Sequence, residues 1–197
     1  MPDPALILAS SSRYRAALLE RLNLPFTAIS PDIDESQRRG ESPHDYVLRL
    51  SVEKAQAVAN DNPNGLVIGS DQCALYHDDI LGKPGTVANA EGQLAQFSGD
   101  HVVFLTGLCL FDPRTQTIQK DVIQYVVHFR DLSAEQISAY VAAEQPLDCA
   151  GSFKSEGLGV SLFERMSGDD PTALIGLPLI RLTSFLLNTG INVPTAP

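Results

Sequence analysis

The chain is poor in positive charge. It carries 14 Lys and Arg against 24 Asp and Glu, a formal net charge of −10 at pH 7. That balance disfavours a nucleic-acid backbone or an anionic membrane surface as partner. A phosphate-bearing ligand would have to be held by a few placed cations together with a metal ion, so a small anion suits the chain better than a polymer. Cysteine is scarce as well: Cys73, Cys109 and Cys149 are odd in number and contain no close pair. They form neither a disulfide framework nor a zinc spacing, which points to a reducing compartment. No apolar run approaches the length of a membrane span. Met1-Pro2-Asp3-Pro4 lacks the basic n-region of a secretory signal, so a soluble, cytoplasmic protein is expected. Common catalytic signatures are missing too. No HExxH, no G-x-S-x-G elbow and no G-x-x-x-x-G-K-[ST] loop occurs, which weighs against a zinc hydrolase, a serine hydrolase and a P-loop ATPase.

What is present fits one globular domain, or one domain with two lobes. The length is 197 residues, with 44% hydrophobic and 19% charged residues, enough for a proper core. Apolar runs at 5–9, 26–29, 66–68, 102–111 and 118–129 predict strands. Helical patterns occupy 13–22, 43–59, 86–97, 133–144 and 176–188. Ser42-Pro43-His44-Asp45 is a helix start, with Ser as cap, Pro in the first turn and an acid three residues on. Ser133-Ala134-Glu135-Gln136 has the pattern of a capping box. Asp112-Pro113-Arg114-Thr115 reads as the turn of a long hairpin, so part of the sheet is antiparallel. No internal repeat or low-complexity stretch interrupts this order, and 30–42 and the tail after Gly190 read as loops.

The chemistry begins at Ser10-Ser11-Ser12-Arg13-Tyr14-Arg15, between the first strand and the first helical pattern. A strand that ends in hydroxyl residues and opens into a helix makes an anion site, because the first helical N–H groups lack partners and the macrodipole is positive there. Arg15 adds a fork of donors matched to phosphate oxygens. A serine N-cap followed by a solvated arginine explains the same residues when they are taken alone. Four further clusters supply acids and cations: Asp32-Ile33-Asp34-Glu35, Glu53-Lys54-Ala55, Gly69-Ser70-Asp71-Gln72 and Leu81-Gly82-Lys83-Pro84. Singly, the acidic loop and Lys54 read as solvated, and Gly82-Lys83-Pro84 as a turn. Asp71 is different. It follows a strand that reads as buried, at its end, and a carboxylate there needs a partner or a metal. Glu35 and Asp71 are the acids best placed to meet around a divalent cation.

In this order the clusters resemble the Maf family of nucleoside triphosphate pyrophosphatases. The matching pieces are Leu6-Ile7-Leu8-Ala9-Ser10-Ser11-Ser12 with Arg15, Asp34-Glu35, Glu53-Lys54-Ala55, Gly69-Ser70-Asp71, Gly82-Lys83-Pro84, Ser98-Gly99 and Thr106-Gly107. Three stretches resemble the YceF-like branch, associated with hydrolysis of 7-methyl-GTP to 7-methyl-GMP and pyrophosphate. They are Gly69-Ser70-Asp71-Gln72, Ala150-Gly151-Ser152-Phe153-Lys154-Ser155-Glu156-Gly157 and Gly176-Leu177-Pro178-Leu179. Two positions depart from that branch, which usually has Pro and Trp where Arg13 and Tyr14 stand.

The resemblance implies an α/β protein of the Maf/ITPase-like fold, a mixed, strongly bent sheet in two lobes flanked by helices with the site in a central cleft. It further implies a homodimer and a divalent cation, Mg²⁺ or Mn²⁺, held by Glu35 and Asp71. By the same route Asp71 is the catalytic proton acceptor, and Ser10, Arg15, Lys54 and Lys83 bind substrate phosphates. Tyr14, Gln72 and Glu156 fall where the family selects its substrate. A carboxylate at Glu156 would favour the cationic ring of 7-methylguanine, and Tyr14 offers it an aromatic face; a salt bridge from Glu156 to Lys154 or Arg165 is the plainer role. Two other functions stay open on the same residues: a pyrophosphatase for dTTP, UTP or another modified nucleotide, and a nucleotide-binding inhibitor of septum formation.

Overall fold

Seven strands and five helices follow one another in the computed structural model, which describes residues 4–194. The order is β1 (Leu6–Ala9), α1 (Arg13–Glu20), β2 (Phe26–Ile29), α2 (Pro43–Ala59), β3 (Leu66–Tyr76), β4 (Asp79–Leu81), α3 (Val87–Phe97), β5 (His101–Asp112), β6 (Thr117–Phe129), α4 (Ala134–Glu144), β7 (Phe163–Ser167) and α5 (Leu179–Asn188), with 3-10 turns at Leu158–Leu162 and Pro171–Ile175. The strands form one mixed sheet in the order β2-β1-β3-β5-β6-β7, with β4 paired to β3. β1 runs parallel to β2 and to β3, in register from Leu6 opposite Leu66 to Ala9 opposite Gly69. The β3–β4 and β6–β7 pairs are antiparallel. The protein is therefore α/β with a mixed sheet, as the family resemblance implied.

Local signals account for most boundaries. Ser42 caps α2 through the Asp45 N–H, with Pro43 in the first turn, and Ser133 and Gln136 cap α4 reciprocally. Two expectations need correction. The third strand does not stop at Ile68 but runs to Tyr76, so Asp71 lies within it and not at its end. The polar trio Ser70-Asp71-Gln72 resembles a loop locally, but pairing with neighbouring strands carries the ladder past it, and β4 joins at Ala74–Tyr76. The last helix begins at Leu179 and not at Gly176. Gly176 has φ +113°, and Leu177 precedes a proline, a position biased away from helix. β4 and β7 gave no usable pattern, one being three residues long and the other exposed at four of its five positions.

The chain clusters into two compact units. The first comprises residues up to Gln72, Thr106–Ile123 and the chain from Thr172 onward. Here the two-residue period of the strands sorts side chains onto two faces. Leu6, Leu8, Leu66, Ile68, Leu108 and Leu110 pack with Leu18 and Leu19 of α1 and with Leu182, Phe185 and Leu186 of α5. Ile7, Ala9, Val67, Cys109 and Phe111 pack with Ala55, Val58 and Ala59 of α2. Burying each of the larger side chains stabilises the fold by about 1.5–3 kcal/mol. Helix α2 lies so close to the sheet that two positions beneath it tolerate no side chain. A Cβ on Gly69 would fall on the Ser51 carbonyl, and one on Gly107 on the Val47 carbonyl, one helical turn away.

The second unit comprises Cys73–Leu105 and Gln124–Pro171. Its core is aromatic. Phe129 meets Phe97, Phe153 and Phe163, and Phe153 meets Phe163 edge-on with centroids 4.9 Å apart. Among the described residues no helix is long and apolar enough to cross a membrane.

Candidate active site

The alternation that sorts the core also sorts the chemistry. Asp71 follows Val67 and Gly69 on the face of β3 turned to α2, whereas Ser70 and Gln72 follow Leu66 and Ile68 on the other. Because α2 touches Gly69 through Ser51, Lys54, one turn further on, reaches the carboxylate. Lys54 Nζ donates to Asp71 Oδ1 at 2.6 Å and lies 2.9 Å from Glu35 Oε1. Lys54 is only 5% exposed and Asp71 7%, so the pair is nearly dry, while Glu35 reaches in from solvent. Burial pushes the Asp71 pKa above its ordinary value. Lys54 and Arg15 pull against that shift, and the negative charge of Glu35 adds to it.

Glu35 belongs to a loop without regular structure, and α2 holds that loop. Tyr46 Oη donates to the Glu35 carbonyl at 3.0 Å, and Arg49 Nη2 donates to the Ser36 carbonyl at 3.1 Å. Arg49 also grips Glu41 with two bonds, from Nε at 2.5 Å and Nη2 at 2.8 Å, and reaches Glu53 with Nη1 at 2.9 Å. These bonds hold the Glu41 pKa at about 2.

At the end of β1, Ser10 is buried and its Oγ accepts the Ser12 N–H at 3.1 Å, with Arg15 Nη1 at 3.5 Å. Two donors on that oxygen leave its own proton for an acceptor. Ser12 caps α1 through the Arg15 N–H. Arg15 Nε donates to the Gly176 carbonyl at 2.8 Å. Its guanidinium feels Asp71 and Glu35, which oppose the lowering of its pKa by burial. The segment carrying Gly176 is tied to β3 and β5. Ser70 Oγ lies within hydrogen-bond distance of Gly107 O (2.8 Å) and Gly176 O (2.9 Å), and Gln72 Nε2 reaches Thr106 Oγ1, Ala173 O and Leu174 O.

Of the residues singled out in the sequence, Asp71, Lys54 and Glu35 therefore meet in one cluster, with Ser10 and Arg15 in the same unit. The solvated reading of Lys54 is overturned by its burial. The Gln72 amide nitrogen bonds the 173–174 carbonyls. Tyr14 lies under the Arg13 guanidinium, 4.9 Å from the ring centroid, and its hydroxyl accepts from Arg13 Nη2. Lys83 and Glu156 belong to the second unit, and both are exposed. Among the described residues Glu156 makes no ion pair; Lys154 Nζ donates instead to the Glu144 carbonyl. Residues that the sequence reading missed are Tyr46, Arg49 and Glu41, which hold the Glu35 loop, and Ser70. The spacing of Tyr46, Arg49 and Glu53 along one helix face was a readable signal; Ser70 stood inside a quoted cluster but received no role there, because its partners lie 37 and 106 positions away.

Among the described residues no three His, Cys, Asp or Glu side chains converge to hold a metal ion. Two carboxylates, Asp71 and Glu35, do converge on one cation, the Lys54 ammonium. Two carboxylates are a donor set that fits a hard divalent ion taking its remaining ligands from other oxygens.

A family model described as Maf-like protein matches residues 5–189. Among curated proteins, one from Alkalilimnicola ehrlichii named 7-methyl-GTP pyrophosphatase is 59% identical over 187 residues, covering 95% of this chain and 94% of its own. Proteins of the same name from Pseudomonas aeruginosa and Colwellia psychrerythraea are 56% and 50% identical. The first covers 98% of this chain and 100% of its own length, the second 95% and 94%.

Proposed function

The chain belongs to the family of Maf-like proteins, and we propose that it is a nucleoside triphosphate pyrophosphatase that converts 7-methyl-GTP to 7-methyl-GMP and pyrophosphate. The observation that carries the reading is the nearly dry Lys54 ammonium held between Asp71 and Glu35, with the Arg15 guanidinium close enough to bias the same carboxylates. The names of the relatives supply the substrate.

Glu35 and Asp71 are the residues that would hold a divalent cation, Mg²⁺ or Mn²⁺, which when bound neutralises charge on the triphosphate. The protein's own groups do the rest. The Ser10 hydroxyl, the first N–H groups of α1 and the free Nη hydrogens of Arg15 bind phosphate oxygens. Asp71 takes a proton from the water that attacks the α-phosphorus. The new P–O bond forms to that water, the bond from the α-phosphorus to the bridging oxygen breaks, and pyrophosphate leaves with that oxygen. Arg15 and Lys54 stabilise the charge that develops on it. Roles for Lys83 at the phosphates, and for Tyr14, Gln72 and Glu156 at the base, are supported by family resemblance. The three cysteines are thiols outside any disulfide, which agrees with a cytoplasmic setting.

The test is pyrophosphate release with Mg²⁺ across 7-methyl-GTP, GTP, dTTP, UTP and CTP. Preference for 7-methyl-GTP, reduced in Glu156→Gln, is the expected result. Preference for dTTP or UTP would keep the mechanism and replace the substrate. No release from any of the five by a folded sample would overturn the enzyme reading in favour of a nucleotide-binding role.

A further inference from the structure

We propose that Ser70 is a positioning residue for Arg15, acting through the carbonyl of Gly176. The inference rests on the reading of Arg15 as a triphosphate-binding group. Ser70 is fully buried, and its single hydroxyl proton lies between two carbonyl oxygens from distant segments, Gly107 O at 2.8 Å and Gly176 O at 2.9 Å. A satisfied core hydroxyl needs nothing more. The second acceptor is different, because it also receives Arg15 Nε–H at 2.8 Å.

A guanidinium is planar, so fixing Nε fixes the plane in which both Nη groups lie. The Gly176 carbonyl thus sets the direction of the Arg15 donors, one of which lies 3.5 Å from Ser10 Oγ at the proposed phosphate site. That carbonyl lies outside regular helix, in a peptide unit whose other end, the Leu177 N–H, donates to the Thr172 carbonyl at 3.4 Å, so hydrogen bonds at both ends set its plane. Gln72 and Thr106 hold the preceding turn at Ala173 and Leu174. Ser70 holds the Gly176 oxygen itself, from the face of β3 opposite Asp71. The base and the residue that aims the phosphate-binding arginine are therefore sequence neighbours on opposite sides of one strand.

The experiment is a double-mutant cycle on 7-methyl-GTP hydrolysis with Ser70→Ala, Arg15→Met and the pair, folding being followed by thermal unfolding. Ser70→Ala should lower kcat by about tenfold in the wild-type background and by less than about twofold beside Arg15→Met, because residues that act as one unit are not additive. Ser70→Cys, with similar volume and a weaker donor, should fall between, and the cycle is run with it if the alanine variant does not fold. Equal losses in both backgrounds would overturn the positioning role while leaving Arg15 in place. Full activity of Arg15→Met would overturn the assignment of Arg15 and this proposal with it.

Discussion

Lys54 Nζ and Asp71 Oδ1 stand 2.6 Å apart, and neither side chain has appreciable contact with solvent. Such a pair is asymmetric in its energetics: together the charges compensate each other, while either alone is left in a poorly solvating place. Glu35 reaches the same ammonium from the loop, so one lysine organises both carboxylates assigned to the metal.

Lys54→Met should therefore destabilise the fold by about 3 kcal/mol, the cost of stranding a buried charge. Combining it with Asp71→Asn should recover part of that loss. Urea unfolding of the two single variants and the double variant reads this directly. Strictly additive losses would mean that the pair is not coupled.

Asp71→Asn leaves the buried Lys54 ammonium to Glu35 alone, so it should fold with a stability loss of up to about 3 kcal/mol, and it should lose about 10²–10⁴-fold in kcat, the range for removing a general base. Pyrophosphate release beside a thermal melt separates the two effects. Near wild-type turnover in a folded variant would remove Asp71 from the mechanism.

The Glu41–Arg49 clamp gives a pH dependence of known sign. The Glu41 pKa is about 2 in the fold, against an ordinary 4.5, so the folded state prefers the anion. The stability this contributes is present above pH 4.5 and is lost as pH falls from there towards 2. At pH 6, Glu41→Gln should cost about 1.5–3 kcal/mol, the range for hydrogen bonds to charged groups. At pH 3 the gap to wild type should narrow. Urea midpoints at the two pH values test it, and a gap that does not change with pH would contradict it. Because the clamp holds the loop carrying Glu35, the same variant should need more Mg²⁺ for half-maximal rate.

Gly69→Ala places a methyl group against the Ser51 carbonyl. Backbone cannot yield as a flexible side chain would, so the variant should lose about 1–3 kcal/mol by overpacking. It should also lose activity, as α2 lifts and Lys54 draws away from Asp71. Unaltered stability and rate would show that the helix is free to move.

What the sequence revealed depended on how local the signal was. α2 was legible from end to end, because Ser42 and Pro43 mark its start and the capping bond forms within one turn. The hairpin at Asp112–Thr117 was legible for the same reason. Asp71, Lys54 and Glu35 were each named, yet Lys54 looked solvated on its helix; only the close approach of α2 at Gly69 and Gly107 buries it. The length of β3 was hidden, since Ser70-Asp71-Gln72 has the composition of a loop and its pairing partners lie elsewhere in the chain. The bond from Ser70 to Gly176 spans 106 positions, beyond any local pattern.

The placement of Ser70, Asp71 and Gln72 on alternate sides of β3 makes this stretch obey a parity rule. Deleting one residue between Leu66 and Gly69 would shift the strand by half its repeat and exchange its two sides. The acid would then point at the 173–176 segment, and the hydroxyl and amide at a helix that offers them a lysine. Length changes here are tolerable only in twos. The side on which each of these three residues lies is thus preserved only by insertions or deletions of an even number of residues.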